Sequence, residues 1–155
     1  MHITVTEIFK AADLQPYGPV PWNDKNNPVK EKRPGIYVIA IAPHPDGGCD
    51  LIDVSNLESD VATKWVPLQP VIYIGRTRRA LSRRVKEFYR HVHGAKSPHR
   101  GGQDVILVKC PRWVYWSPTE EPVDAERKMI EYFEGKIGRL PFANRVRSAR
   151  IRVTR

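Results

Sequence analysis

Two apolar runs without polar interruptions are the clearest feature of the chain. Residues 35–42 read Gly-Ile-Tyr-Val-Ile-Ala-Ile-Ala, and residues 71–75 read Val-Ile-Tyr-Ile-Gly. Such runs, rich in β-branched and aromatic residues, are typical of strands that are buried on both faces. An apolar run within residues 104–110 predicts a third strand, and residues 113–116 either extend the sheet or pack over its edge.

Apolar positions at helical spacing predict two helices after the second run. The first covers about residues 80–92 and is stopped by Gly94, and the second covers residues 123–137 and is stopped by Gly138. Glycine favours the left-handed conformation that commonly ends a helix. The spacing i, i+4, i+7 and i+11 is shared by Leu81, Val85, Phe88 and Val92 in the first helix, and by Glu126, Ile130, Phe133 and Ile137 in the second.

The segment that precedes the first apolar run predicts a helix and an arm. A short helix is expected over residues 6–14, with Thr6 as its N-cap because a hydroxyl can accept from the first free N–H groups. Residues 15–33 are rich in proline, asparagine and lysine, so they predict an extended arm without a regular element.

A chain of 155 residues has the size of one domain with one core. We interpret residues 34–146 as that domain, with an insertion at about residues 43–70. Residues 1–33 form the N-terminal helix and extended arm, and residues 147–155 form a basic C-terminal tail.

Basic residues are clustered along the chain. Lysine and arginine number 26 against 17 acids, and the net charge is +9. Nine basic residues lie between Arg76 and Arg100, where Glu87 is the only acid, and six arginines without an acid lie between Arg139 and Arg155. Clusters of this kind suit a polyanion such as nucleic acid. The candidate contacts are Arg76, Arg78, Arg79, Arg83, Lys86, Arg90, His99 and Arg100.

Cysteine spacing and hydropathy argue against a zinc-binding protein and against a membrane-spanning one. Cys49 and Cys110 are far apart and lack Cys/His spacing, so a zinc site is not expected. No apolar run approaches 18 residues, so no membrane span is predicted and the cytoplasm is the default location. The oligomeric state is left open.

A carboxylate and a guanidinium occupy unusual places on the two helices. Glu126 heads the inward-facing stripe of its helix, although a first-turn acid favoured by the helix dipole is the alternative. Arg84 lies roughly 60° from Leu81 around its helix, at the edge of the apolar face, whereas Arg83 lies on the opposite side.

In this order, these features resemble the GIY-YIG nuclease family, whose members are metal-dependent enzymes that cut phosphodiester bonds. The resemblance is carried by Gly35-Ile36-Tyr37, Tyr73-Ile74-Gly75, Arg84, Glu126 and Asn144. It implies an α+β (α/β-class) fold with a small central three-stranded antiparallel sheet flanked by helices. It also implies an endonuclease that acts on DNA and requires Mg²⁺, with Mn²⁺ as the possible substitute.

The resemblance implies a role for each residue. Tyr37 is the favoured base for the attacking water and Tyr73 a hydrogen-bonding partner, with the reverse assignment open. Arg84 would bind the scissile phosphate, since a guanidinium can bond two of its oxygens. Glu126 would be the metal ligand, Asn144 would support the site, and Arg76 would be a secondary phosphate contact.

The chain departs from the family pattern in two places. A span of 35 residues separates the two tripeptides, where a short hairpin is usual, and Phe88 stands where many members carry a histidine. His91 or His99 is the candidate replacement. Two other functions stay open: a non-catalytic basic nucleic-acid-binding module, and an RNA-directed nuclease or toxin with the same site.

Overall fold

The computed structural model describes residues 3–22, 29–41, 65–66, 69–89, 105, 108 and 111–144. Within these residues the fold is α+β, with one four-stranded antiparallel sheet and three helices. Along the chain the elements are α1 Val5–Lys10, β1 Tyr17–Pro21, β2 Gly35–Ala40, β3 Val71–Thr77, α2 Leu81–Tyr89, β4 Trp113–Pro118 and α3 Pro122–Ile137. The strand order in the sheet is β1-β4-β2-β3.

Strand β2 lies inside the sheet between β3 and β4, and all six of its residues are buried. This confirms the prediction that the first apolar run is covered on both faces. Tyr37 pairs with Gly75 on one side and with Trp116 on the other. Beyond the strand, the Ile41 N–H donates to the Pro70 carbonyl at 2.8 Å and continues the pairing of β2 with β3.

The sheet carries a hydrophobic cluster on each face, and side chains alternate between them along β2. Tyr37 and Ile39 pack on the face covered by α2. Ile36, Val38 and Ala40 pack on the other face, against α1 and α3. The buried helical partners are Leu81 and Val85 on the first face, and Ile8, Phe9, Met129, Ile130 and Phe133 on the second.

One strand prediction was wrong. The sheet has four strands because Tyr17–Pro21, within the expected irregular arm, pairs with β4 as an edge strand. An edge strand tolerates the prolines that suggested a loop. Strand β4 confirms that residues 113–116 belong to the sheet, one of the two alternatives from the sequence. The strand expected over residues 104–110 lies outside the described residues except for Val105 and Val108, and the Val108 N–H donates to the Val105 carbonyl at 3.2 Å.

The helix ends follow local chemistry. α1 begins after Thr4 rather than Thr6, because Thr4 and Glu7 form a reciprocal capping box. Gly138 ends α3 in the left-handed conformation with φ 87°, as predicted. α2 is described only as far as Tyr89, and the insertion apart from residues 65–66 and 69–70, like the basic tail, lies outside the described residues. No helix among the described residues combines the length and hydropathy that a bilayer span requires.

Candidate active site

Tyr37 and Tyr73 face each other across the backbone of Gly75. Their ring centroids are 5.9 Å apart, with 53° between the ring planes. A Cβ on Gly75 would lie 2.6 Å from Cζ of Tyr37 and 2.7 Å from Cε2 of Tyr73. Both rings therefore occupy the space that any other residue at position 75 would fill, which explains a glycine in the middle of a buried strand.

Arg84 reaches this tyrosine pair from α2. Its Nε–H donates to the Tyr37 hydroxyl at 3.4 Å, and its side chain is half-buried. Arg83 is 72% exposed and turns away from the site, as the helical spacing predicted. The start of α2 is fixed to the chain before β2, because Leu81 N–H donates to the Arg33 carbonyl at 3.0 Å and Ser82 N–H to the Glu31 carbonyl at 2.8 Å.

Burial raises the pKa of both phenols, because loss of hydration penalises their ionised forms. The pKa of Tyr73 lies well above its ordinary range, and the nearby Tyr37 and Glu126 raise it further. The pKa of Tyr37 is also raised by burial, although Arg84 and a hydrogen bond from Tyr73 act against this. Both side chains are therefore neutral near pH 7.

Glu126 lies in the first turns of α3 and is paired with Arg76 from β3. The Nε–H of Arg76 donates to Oε1 of Glu126 at 3.0 Å, and the Glu126 side chain is 14% exposed. The sequence prediction treated Arg76 as a phosphate contact and ended the strand at Gly75. Extending β3 to Thr77 places Arg76 on the face of Ile74, which packs against α3. That alternation assigns Arg76 to the side of the sheet that faces α3, but it does not identify Glu126 as the partner.

Asn144 contacts the backbone of β3. Its Oδ1 accepts from Ile74 N–H at 3.0 Å, and its Nδ2 donates to the Ile74 carbonyl at 2.9 Å. The adjacent Ala143 N–H donates to the Ile72 carbonyl at 2.8 Å. Asn144 thus holds the strand that carries Tyr73 and Gly75, and it supports the site through the backbone.

The predicted basic face is exposed but partly neutralised. Arg78, Arg79, Arg83 and Lys86 are all exposed. Glu87 accepts two hydrogen bonds from Arg79, at 2.6 and 2.9 Å, and lies 4.0 Å from Arg83. The other candidates from this part of the sequence lie outside the described residues: Arg90, His91, His99 and Arg100.

Glu126 is the candidate metal ligand of the site. Among the described residues, no three histidine, cysteine, aspartate or glutamate side chains come together. A zinc ion usually needs three or four such ligands, whereas Mg²⁺ is often held by one or two carboxylates, with water and substrate phosphate completing its shell. A single carboxylate such as Glu126, which is paired with Arg76, would therefore suit Mg²⁺ rather than zinc.

Comparison of the chain with protein-family models, curated proteins and solved structures finds no match. A proposal for its function therefore depends on the residues themselves and on their geometry.

Proposed function

We propose that this protein is a metal-dependent endonuclease of the GIY-YIG type that hydrolyses phosphodiester bonds in DNA. The observation that supports this function best is the contact of Arg84 with a buried tyrosine pair at Gly75, with Glu126 near enough to affect the pKa of both phenols. Glu126 itself lies on the α3 side of the sheet, where it is 14% exposed and paired with Arg76.

Arg84 would bind the scissile phosphate. Its guanidinium already lies at the tyrosine pair, and it can donate to two oxygens of a phosphate at once. Positive charge fixed at this point would stabilise the negative charge on the phosphoryl oxygens during in-line attack.

Tyr37 would position the attacking water and take its proton. The phenol is neutral at rest, so it can take this proton only after it has given its own proton to a neighbouring base or to solvent. Arg84 lowers its pKa and Glu126 raises it. Neutralising the charge of Glu126 on substrate binding would therefore favour the ionised phenol.

Glu126 would hold the divalent cation, which when bound supplies positive charge beside the leaving oxygen. Arg76 is the counter-ion of this carboxylate in the structure. When a cation neutralises Glu126, Arg76 would be released to contact a neighbouring phosphate, the role expected from the sequence.

A cleavage assay tests the function. Purified protein is incubated with plasmid DNA and with structured RNA, in Mg²⁺, Mn²⁺ or EDTA. Wild type is expected to cut DNA only with metal, and Glu126→Gln is expected to bind DNA without cutting it. Cleavage of RNA alone would favour the RNA-directed nuclease, and binding without any cleavage would leave the non-catalytic module.

A matched pair of arginine variants tests the phosphate role. Arg84→Lys keeps the charge but loses the planar fork, and we expect it to lower the cleavage rate by about 10²-fold. Arg83→Lys makes the same change one residue away on the exposed side, so its rate should stay near wild type. Equal losses in the two variants would contradict the assignment.

A further inference from the structure

Four residues lie in one row across the sheet, one from each strand. Tyr17 of β1 pairs with Trp116 of β4, Trp116 pairs with Tyr37 of β2, and Tyr37 pairs with Gly75 of β3. Residues that are directly opposite on neighbouring strands point to the same face of a sheet. The row therefore connects the tyrosine pair of the candidate site with the edge strand β1.

The outer end of this row is an exposed aromatic ring. Tyr17 is 50% exposed, the only strongly exposed large hydrophobic side chain among the described residues. Its ring lies 6.2 Å from that of Trp116, which packs on the cluster containing Tyr37. On its other side the Tyr17 hydroxyl interacts with Arg33, whose guanidinium is also bonded to Glu31. The ring is thus supported by an indole and fixed at its hydroxyl.

From these contacts we infer that Tyr17 is a stacking platform for an unpaired base of the nucleic acid cut at the neighbouring site. The inference rests on the proposed function for the nature of the ligand. Strands lie about 4.8 Å apart, so Tyr17 stands roughly 10 Å from Tyr37 across the sheet. That distance corresponds to about three nucleotides of a stacked strand, and to fewer in an extended one.

The geometry favours an unpaired base. A base inside a duplex already has both faces stacked on its neighbours, so it offers no face to Tyr17. A base in a flap, bulge, overhang or single strand offers one. A single ring is also far too small for a stable protein interface, which buries about 800 Å² on each partner. The substrate class is therefore nucleic acid with unpaired nucleotides next to the cut.

Binding of a fluorescent single-stranded DNA in EDTA tests this platform without catalysis. Tyr17→Leu keeps apolar bulk but removes the ring, and its affinity should fall roughly 5- to 150-fold, as expected for loss of one stacked base. Tyr17→Phe keeps the ring on Trp116 but loses the contact with Arg33, so its affinity should fall much less than that of Tyr17→Leu. Tyr132→Leu makes the same change on α3, where the ring packs with the cluster on the opposite face, and it should bind like wild type.

Three further measurements separate stacking from other causes. The loss should vanish on a strand in which abasic sites replace the bases, and it should be the same at all salt concentrations, because Tyr17 carries no charge. The circular dichroism spectrum of Tyr17→Leu should match that of wild type, because the change should not alter the fold. Wild-type affinity in Tyr17→Leu, or an equal loss on the abasic strand, would overturn the platform.

Cleavage in Mg²⁺ by the same proteins distinguishes the two proposals. If wild type cuts but Tyr17→Leu binds normally, the platform fails and the nuclease stands. If wild type cuts nothing but Tyr17→Leu loses affinity for the base-containing strand alone, the nuclease fails and the stacking contact stands.

Discussion

At the scale of single residues, Gly75 determines whether the tyrosine pair can form. In Gly75→Ala, the new methyl group would overlap both rings, whose nearest atoms are 2.6 and 2.7 Å from its position. Both tyrosines must shift, so we expect loss of cleavage and a free energy of unfolding lower by about 1–3 kcal/mol.

Gly135→Ala is the control, because nothing lies within 4 Å of its Cβ position on α3. It should raise the free energy of unfolding by about 1 kcal/mol, since alanine is the better helix former. Urea unfolding and the cleavage assay measure both effects. A stable, active Gly75→Ala would show that the rings can be displaced without consequence.

Tyr73 should make the protein sensitive to alkali. Burial raises its pKa well above the ordinary range, so the folded state favours the protonated phenol. An unfolded tyrosine loses its proton near pH 10. Below that pH the contribution of Tyr73 is fully present. Above it the unfolded chain binds fewer protons than the folded one, so the free energy of unfolding falls as pH rises.

Urea titrations between pH 8 and pH 11 measure this effect. Wild type should lose stability above about pH 10 more steeply than Tyr73→Phe, which has no phenolic proton at this position. Parallel curves for the two proteins would mean that Tyr73 titrates normally in the folded state.

Some site residues could be predicted from spacing and others could not. The positions of Glu126 and Arg84 could be predicted because a helix repeats every 3.6 residues. The apolar neighbours of each residue therefore show whether it lies on the inward face or at its edge. The Arg76–Glu126 pair joins residues 50 positions apart on two elements. Such a contact depends on how the elements pack, and local pattern does not contain that information.

At the scale of elements, Asn144 acts on β3 as a neighbouring strand would. Its amide bonds both the N–H and the carbonyl of Ile74 on the outer side of the sheet. Asn144→Ala would leave these buried groups without those bonds, each at a cost of about 1–3 kcal/mol. We therefore expect a clear loss of stability in urea unfolding, and weaker cleavage because β3 carries Tyr73 and Gly75.

Thr119→Ala is a suitable comparison. It removes an exposed hydrogen bond from Glu121 N–H to the threonine hydroxyl, and surface changes of this kind alter stability by about 0.5 kcal/mol or less. If the two variants were equally stable, the hydrogen bonds of Asn144 would be dispensable.

The elements predicted best were those with one strong signal. β2, β3 and α3 combine a continuous apolar run or a clear helical face with a glycine or proline at the boundary. β1 was missed because its prolines suggest a loop, and only an edge position makes them acceptable. For β4 the sequence left two alternatives open, because hydrophobicity alone does not say whether an apolar segment enters the sheet or packs over its edge.

At the scale of the whole molecule, Glu87 limits how much of the positive charge can reach a polyanion. It is paired with Arg79 and lies near Arg83. Glu87→Gln should release these arginines, raise DNA affinity and steepen the slope of log K against log salt by about 1.

Glu131→Gln removes the same charge from α3, where Glu131 lies 3.6 Å from Arg127. Fluorescence anisotropy at several salt concentrations compares the two variants. If the effect of Glu87 is local to α2, only Glu87→Gln should steepen the slope of log K against log salt. Equal changes would mean that net charge matters and that the face of α2 has no special role.

The hydrogen bond from Ile41 N–H to the Pro70 carbonyl has a consequence for how this molecule can be altered. This bond holds the two ends of the long connection between β2 and β3 within one strand spacing of each other. They lie at the end of the β2–β3 pair that is farther from Gly75. The closure cost of a flexible loop changes by only about 0.6 kcal/mol for each doubling of its length. We therefore expect that residues 42–64 can be replaced by segments of other lengths without loss of the Trp65–Phe142 ring contact or of the tyrosine pair.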